Sequence, residues 1–253
     1  MDDQISTADP VTSTGTEAAA PASPRKPRLR PLDAATLIVI DRAGRTPKFL
    51  MGKRHPALKF MPGHFVFPGG RMERGDAAMP VLGALHPRAE QALLARMVRP
   101  TPERGRALAL TAIREMYEET GLMFGSRAYG APERVPNNGW EAFRQHGVLP
   151  DLGALQVIAR AITPTKRVKR FDTRFFAIDR RAIGHVQDGI VGPESELVEL
   201  AWVTFRQARA LDLPYITRVI LTDLEDRLAN GFAPELPVPF YYHRSGRSIC
   251  EQL

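Results

Sequence analysis

The stretch RALALTAIREMYEETGL, residues 106–122, decides how the rest of the chain is read. Wound at about 100° per residue, it puts Ala109, Leu110, Ile113, Met116 and Tyr117 on one broad apolar face. Glu115, Glu118 and Glu119 fall on roughly the opposite face, with Leu108 intruding near them. The helix is expected from about Pro102, a residue suited to a first turn, to Thr120, with Gly121 as its stop. Its glutamates are badly placed for a bare helix. Glu115 meets like charge at i+3 and i+4, at about 0.2–0.5 kcal/mol per pair. Glu118 and Glu119 also face the negative end of the helix dipole, at about 0.3–1 kcal/mol each when exposed. Arg114, four residues before Glu118, offsets only part of this. A bound divalent cation would reverse the sign of every one of these terms. Three convergent carboxylates are hard oxygen ligands, suited to Mg²⁺ or Mn²⁺. A solvated acidic helix face is the plainer alternative.

Upstream, AATLIVI (34–40) reads as a buried strand and KFLMGKR (48–54) as its hairpin partner. HFVF (64–67) is a third strand, halted by Pro68-Gly69-Gly70. Glycines there let backbone approach a ligand closely and expose carbonyl oxygens. A helix is expected over 87–98. Residues 123–153 read as loop, with a short helix around WEAFRQHG. Strands follow at 156–163, 173–179 and 196–204, then a helix over 214–230. Strands mixed with a few helices, without regular βαβ alternation, argue for one α/β (α+β) layered domain. It should occupy residues 32–253, after a disordered tail over 1–31 that ends in the basic stretch PRKPRLRP.

Of the 253 residues 43% are hydrophobic, enough for a substantial core. The single cysteine, Cys250, excludes an internal disulfide and a multi-cysteine zinc site. A cytoplasmic setting is the expectation. There is no apolar run long enough to span a membrane and no signal-peptide pattern, so no membrane partner is expected. The net charge of +7 suits a mildly basic surface or attraction to phosphorylated ligands, and nucleic acid is not expected as a partner. The reading leaves a homodimer open.

A strand, Pro-Gly-Gly, a helix and REMYEETGL in that order resemble the Nudix hydrolase family, whose box reads G-x5-E-x7-R-E-U-x-E-E-x-G-U, with U a bulky aliphatic residue. The second half is complete, from Arg114 to Leu122, and the first half begins at Gly70. After five intervening residues Asp76 stands where the family has glutamate, and Arg106 stands in the corresponding place counted back from Arg114, with seven residues between them. Asp76 and Arg114 are 38 positions apart where the family uses 8, so the box looks split by a helical insertion at about 77–105. The missing box glutamate is then Asp76 itself, Glu73 or Glu103, or is absent. Leu50-Met51-Gly52-Lys53-Arg54-His55, then Lys59, Gly63 and Phe67-Pro68-Gly69-Gly70, is similar to a motif of the coenzyme A diphosphatase branch, with departures at Gly52, His55 and Lys59. FMPGHFVFPGG, the box insertion and the later RFDTRFF look most like the peroxisomal members of that branch and their bacterial relatives.

The resemblance implies a Nudix-type α-β-α sandwich with a mixed sheet. It implies a hydrolase that splits a diphosphate linkage in a nucleotide-derived small molecule. The first expectation is coenzyme A or acyl-coenzyme A, giving 3′,5′-ADP and phosphopantetheine. A nucleotide sugar, dinucleotide or capped RNA end is an alternative substrate, and a non-catalytic ligand sensor an alternative role. Glu115, Glu118 and Glu119 would hold the metals together with the Gly70 carbonyl, and Glu115 would activate water. Arg114 would orient them. Arg54, Lys59, Pro68, Gly69, Arg170 and Arg174 would meet the substrate. Glu196 and Glu199 are candidates for a further acid. Tyr241, Tyr242 and His243 are read mainly as packing or lid residues, and Trp140 and Trp202 as packing residues.

Overall fold

The computed structural model describes residues 29–165, 167 and 169–253. All but the last three residues of the expected tail therefore lie outside the described residues. The chain opens with β1 (Leu32–Asp41), β2 (Lys48–Arg54), β3 (Phe65–Val66) and β4 (Gly69–Arg71). Helices α1 (Pro87–Leu94) and α2 (Pro102–Thr120) follow, then β5 (Leu122–Phe124), α3 (Glu141–Gln145), β6 (Gln156–Ile162) and β7 (Phe171–Asp179). The remainder is β8 (Ile183–Val186), β9 (Leu197–Val203), α4 (Phe205–Arg209), α5 (Tyr215–Ala229), β10 (Pro239–Arg244) and β11 (Arg247–Gln252).

The main sheet is mixed and runs β11-β10-β6-β7-β1-β2-β3, with β4 also on β1 and β9 also on β2. The β1–β2 hairpin forms as its sequence suggests, antiparallel, pairing Ile40 with Phe49. The pairing that centres the sheet is parallel and distant: β1 lies along β7 from Leu32–Phe171 to Ile40–Asp179. Successive strand side chains alternate between faces. Ala35, Leu37 and Val39 of β1 therefore join Leu110, Ile113 and Met116 of α2 in one core. Ile38 and Ile40 join Ile220, Leu221 and Leu224 of α5 in the other. The sheet is thus sandwiched between α2 and α5, the α/β architecture expected from the sequence.

Three expectations change. The strand read as halted at Pro68 resumes as β4, where Thr36 faces Gly69 and Ala35 faces Gly70. Pro68 has no N–H to offer the ladder, but its carbonyl accepts a hydrogen bond from the Leu37 N–H (3.0 Å), which docks the turn against β1. Helix α1 stops at Leu94 rather than near 98, and Arg96 takes a positive φ of 57°. Leu108 is fully buried, because Ala89, Ala92 and Leu93 of α1 join it in the α2 core. Helix α2 itself keeps its expected ends. The Thr101 hydroxyl accepts a hydrogen bond from the Arg104 N–H (3.2 Å), and Gly121 closes it in the left-handed region at φ 77°.

Candidate functional site

Because β4 pairs with β1 beneath the last turns of α2, the glycine turn and the glutamates meet. A Cβ on Gly70 would lie 2.3 Å from Oε2 of Glu115, so any side chain there would displace that carboxylate. The Gly69 N–H donates to Oε2 of Glu119 (3.1 Å). Glu119 is 8% exposed, so it does not belong to a solvated acidic face. Arg114, buried at 2% exposure, joins the cluster from behind. Its Nη1 reaches Oε1 of Glu115 (3.0 Å) and Oε2 of Glu118 (2.8 Å).

Asp76 sits behind Arg114 and is completely buried. It accepts hydrogen bonds from Arg114 Nε (2.8 Å), the Thr111 hydroxyl (2.8 Å) and the Glu73 N–H (2.9 Å). Asn138 Nδ2 (3.0 Å) and Trp140 Nε1 (3.3 Å) also donate to it. With its lone pairs filled by protein donors, Asp76 anchors Arg114 and does not face outward with the glutamates. Glu103 is exposed in the first turn of α2, roughly 18 Å along the axis from Glu115 at 1.5 Å per residue. Glu73 lies close enough to Glu118 to oppose its ionisation.

These surroundings disfavour negative charge. Burial pushes the Glu115 carboxyl up to about 7, with Arg114 opposing and Glu118 adding to the rise. Burial also raises Glu118, against Arg114. Glu119 stands well above the usual carboxylate range, first through burial and then through Glu196 and Glu115. Burial pulls Arg114 down, but Asp76, Glu115 and Glu118 hold it above the usual guanidinium range. Among the described residues no three His, Cys, Asp or Glu side chains form a ready-made metal cage. The ion pairs and hydrogen bonds account for this: Arg114 draws Glu115 and Glu118, and the Gly69 N–H draws Glu119. The donor set nevertheless fits a hard divalent cation. Its members are carboxylate oxygens, mutually repelling and partly desolvated, beside a glycine that leaves room for close approach.

Arg54 ends β2 beside this cluster. Its Nη1 pairs with Glu196 (2.8 Å) and its Nε donates to the Phe60 carbonyl (3.0 Å), so it ties the loop after β2 to the start of β9. Lys59 is exposed in that loop. Pro68 is buried, with its carbonyl turned to β1. Glu199 is exposed and faces Lys53 across the β2–β9 ladder, whereas Glu196 acts on Glu119.

Arg170 and Arg174 are engaged elsewhere among the described residues. Arg170 donates to the Thr163 carbonyl (3.0 Å) and the Leu29 carbonyl (2.7 Å). Arg174 is fully buried against Asp33 and Asp172, each 3.1 Å from its Nη1. Alternation along β7 could have shown that Arg174 points inward with Phe176 and Ile178. Tyr241 bonds Asp223 (2.8 Å) and Tyr242 bonds Glu251, on β10 toward the far edge of the sheet. Trp202 packs half-buried on the α2 core, with Arg180 over its ring. Trp140 is buried as expected, but its link to Asp76 was not visible in the sequence, nor were the Asn138 and Thr111 links. A cavity of about 650 Å³ lies toward the other end of β1, lined by Asp41, Arg42, Asp179 and Arg180. Those charges pair with one another, Arg42 with Asp179 (2.9 Å) and Arg180 with Asp41 (2.8 Å), so the candidate site rests on the carboxylates.

A mixed sheet between two helices, one of which carries clustered glutamates against a glycine turn, defines a class of fold, and a solved structure shares it. A Nudix hydrolase from Alicyclobacillus acidocaldarius aligns at TM-score 0.58 and 27% identity, over 76% of this chain and 90% of that one. The Nudix hydrolase RenU from M. smegmatis aligns at TM-score 0.40 and 19% identity, over 79% and 86%. The Nudix domain of NrtR from Shewanella oneidensis, solved with ADP-ribose, aligns at TM-score 0.44 and 11% identity, over 85% and 99%. No protein-family model matches the sequence. No curated protein matches it. The chain has the Nudix hydrolase fold. No helix among the described residues is long and apolar enough to cross a membrane.

Proposed function

We propose that this protein is a divalent-metal-dependent diphosphatase of the Nudix type, and that coenzyme A or an acyl-coenzyme A is its substrate. The observation that carries the reaction class is the gathering of Glu115, Glu118 and Glu119 beside Gly69 and Gly70. The similarity of residues 50–70 to the coenzyme A diphosphatase motif supports the substrate. Glu115, Glu118, Glu119 and the Gly70 carbonyl would hold Mg²⁺ or Mn²⁺, which when bound neutralises phosphate charge and makes water more acidic. Arg114, anchored by Asp76, sets the carboxylates of Glu115 and Glu118. Glu115 orients the attacking water and takes its proton. Arg54 and Lys59 meet the diphosphate, with Arg54 leaving Glu196 to do so, since a guanidinium pairs well with phosphate oxygens.

The test is incubation of the full chain with Mg²⁺ or Mn²⁺ and coenzyme A, NADH, ADP-ribose and diadenosine polyphosphates in parallel. Release of 3′,5′-ADP from coenzyme A, faster than turnover of the others, is the expected result. Preferential cleavage of another member would replace the substrate and keep the reaction class. Binding without turnover would make the protein a ligand sensor and overturn the proposal.

A further inference from the structure

The segment Asn138-Gly139-Trp140 lies outside the box residues, between β5 and α3, yet it closes around the back of the glutamate cluster. Asn138 Nδ2 and Trp140 Nε1 both donate to Oδ1 of Asp76. Asp76 holds Arg114 through Nε (2.8 Å) and Nη2 (3.2 Å), and Arg114 holds Glu115 and Glu118 with its remaining nitrogen. Between the two donors, Gly139 adopts φ 80° and lies directly on Glu118. A Cβ there would fall 1.9 Å from Oε1 of Glu118 and 3.1 Å from Cδ of Arg114. The segment is itself locked: Trp140 is fully buried against Phe143, with ring centroids 4.9 Å apart, and a Cβ on Gly75 would strike Asn138.

Aspartate is one methylene shorter than the glutamate of the family box. A fully buried carboxylate must have its lone pairs satisfied, and a buried ion pair is favourable only with added hydrogen bonds. The Thr111 hydroxyl and the Glu73 N–H supply these at Oδ2, and two donors from a distant segment supply them at Oδ1. We infer that Asn138, Gly139 and Trp140 are positioning residues of the metal site, which set Glu115 and Glu118 through Asp76 and Arg114. The inference rests on the diphosphatase reading and adds to it a segment that the box does not contain.

The test uses Mn²⁺ alone as the probe, followed by electron paramagnetic resonance on the full chain, with turnover of coenzyme A measured in parallel. Two variants are compared with wild type. Asn138→Ala/Trp140→Phe removes both donors and keeps an aromatic in the core. Gly139→Ala pushes on Glu118. Partners that orient metal ligands typically matter by about 10–100-fold, so each variant should bind Mn²⁺ at least about tenfold more weakly. At saturating Mn²⁺, kcat should fall while KM for coenzyme A stays near wild type, because the substrate contacts are intact. Should Gly139→Ala not fold, the double variant carries the test. Wild-type Mn²⁺ affinity and kcat in a double variant with a lowered Tm would mean a purely structural role and overturn the inference alone. A wild-type chain that neither binds Mn²⁺ nor cleaves coenzyme A would overturn the diphosphatase reading and the inference with it.

Discussion

Replacing Arg174 by methionine separates two physical roles for a cation that the sequence places with the substrate-binding residues. Arg174 sits in a buried network of three arginines and two aspartates. Asp33 is also held by Arg104 (Nε, 2.7 Å), and Asp172 is gripped at both oxygens by Arg160 (2.8 and 2.7 Å). Each aspartate keeps an arginine when Arg174 is removed, and the excess positive charge goes. Nε and Nη2 of Arg174 are buried with no hydrogen-bond partner among the described residues, and burial holds its guanidinium below the usual range. An unpartnered buried polar group costs about 1–3 kcal/mol, comparable to the charged hydrogen bonds that Nη1 would lose. Buried ions replaced by apolar residues of similar volume are often neutral or stabilising. Arg174→Met should therefore change stability by between zero and about 2 kcal/mol, in the stabilising direction. Urea unfolding of wild type, Arg174→Met and Asp172→Ala would measure this. The Asp172 variant strands two buried arginines and should lose about 3–5 kcal/mol. A loss beyond about 2 kcal/mol in Arg174→Met would refute the network argument. A large rise in KM at unchanged stability would place Arg174 on the substrate instead.

Glu118→Gln should abolish turnover in the coenzyme A assay and shift stability by no more than about 1 kcal/mol, since this pair is partly exposed; a fully active variant would sink the metal assignment. Gly70→Ala pushes a methyl into the Glu115 carboxylate, so kcat should fall much further than Tm does, as read by parallel kinetics and thermal melts. Glu115 predicts a pH dependence. Its folded pKa of about 7 lies above the ordinary 4.5, so its contribution to the metal-free protein is intact below 4.5 and lost as pH rises toward 7. At about 1.4 kcal/mol per unit the loss is of order 3 kcal/mol. Metal-free melts between pH 4.5 and 8 should show Tm falling, and Glu115→Gln should flatten that slope; an unchanged slope in the variant would count against the buried carboxylate.

Much of the fold could be read locally. Helix α2 begins and ends where Pro102 and Gly121 indicate, because caps act within one turn. The β-branched run in β1 and the strand after it also appear where the periodicity puts them. Each of these rests on neighbours within a few residues, which is the range over which propensity and alternation act. The glutamates were singled out for the same reason, through like charge at i+3 and i+4 on a single helix.

What needed tertiary structure was every relation across long loops. The parallel pairing of β1 with β7, the return of the chain into β4, and the burial of Leu108 beneath α1 join segments that no period connects. The chemistry divides along the same line. Sequence alone set the acidic residues and the glycine turn, because both are short contiguous patterns. Only the folded chain decided which charges face the candidate site. It turned Asp76 inward to Arg114 under donors from Asn138 and Trp140, and it enclosed Arg174 between Asp33 and Asp172. A charged side chain is placed by whichever partners can offset its desolvation, and several of those partners, Asn138 and Trp140 for Asp76 and Asp33 for Arg174, lie tens to more than a hundred residues away along the chain.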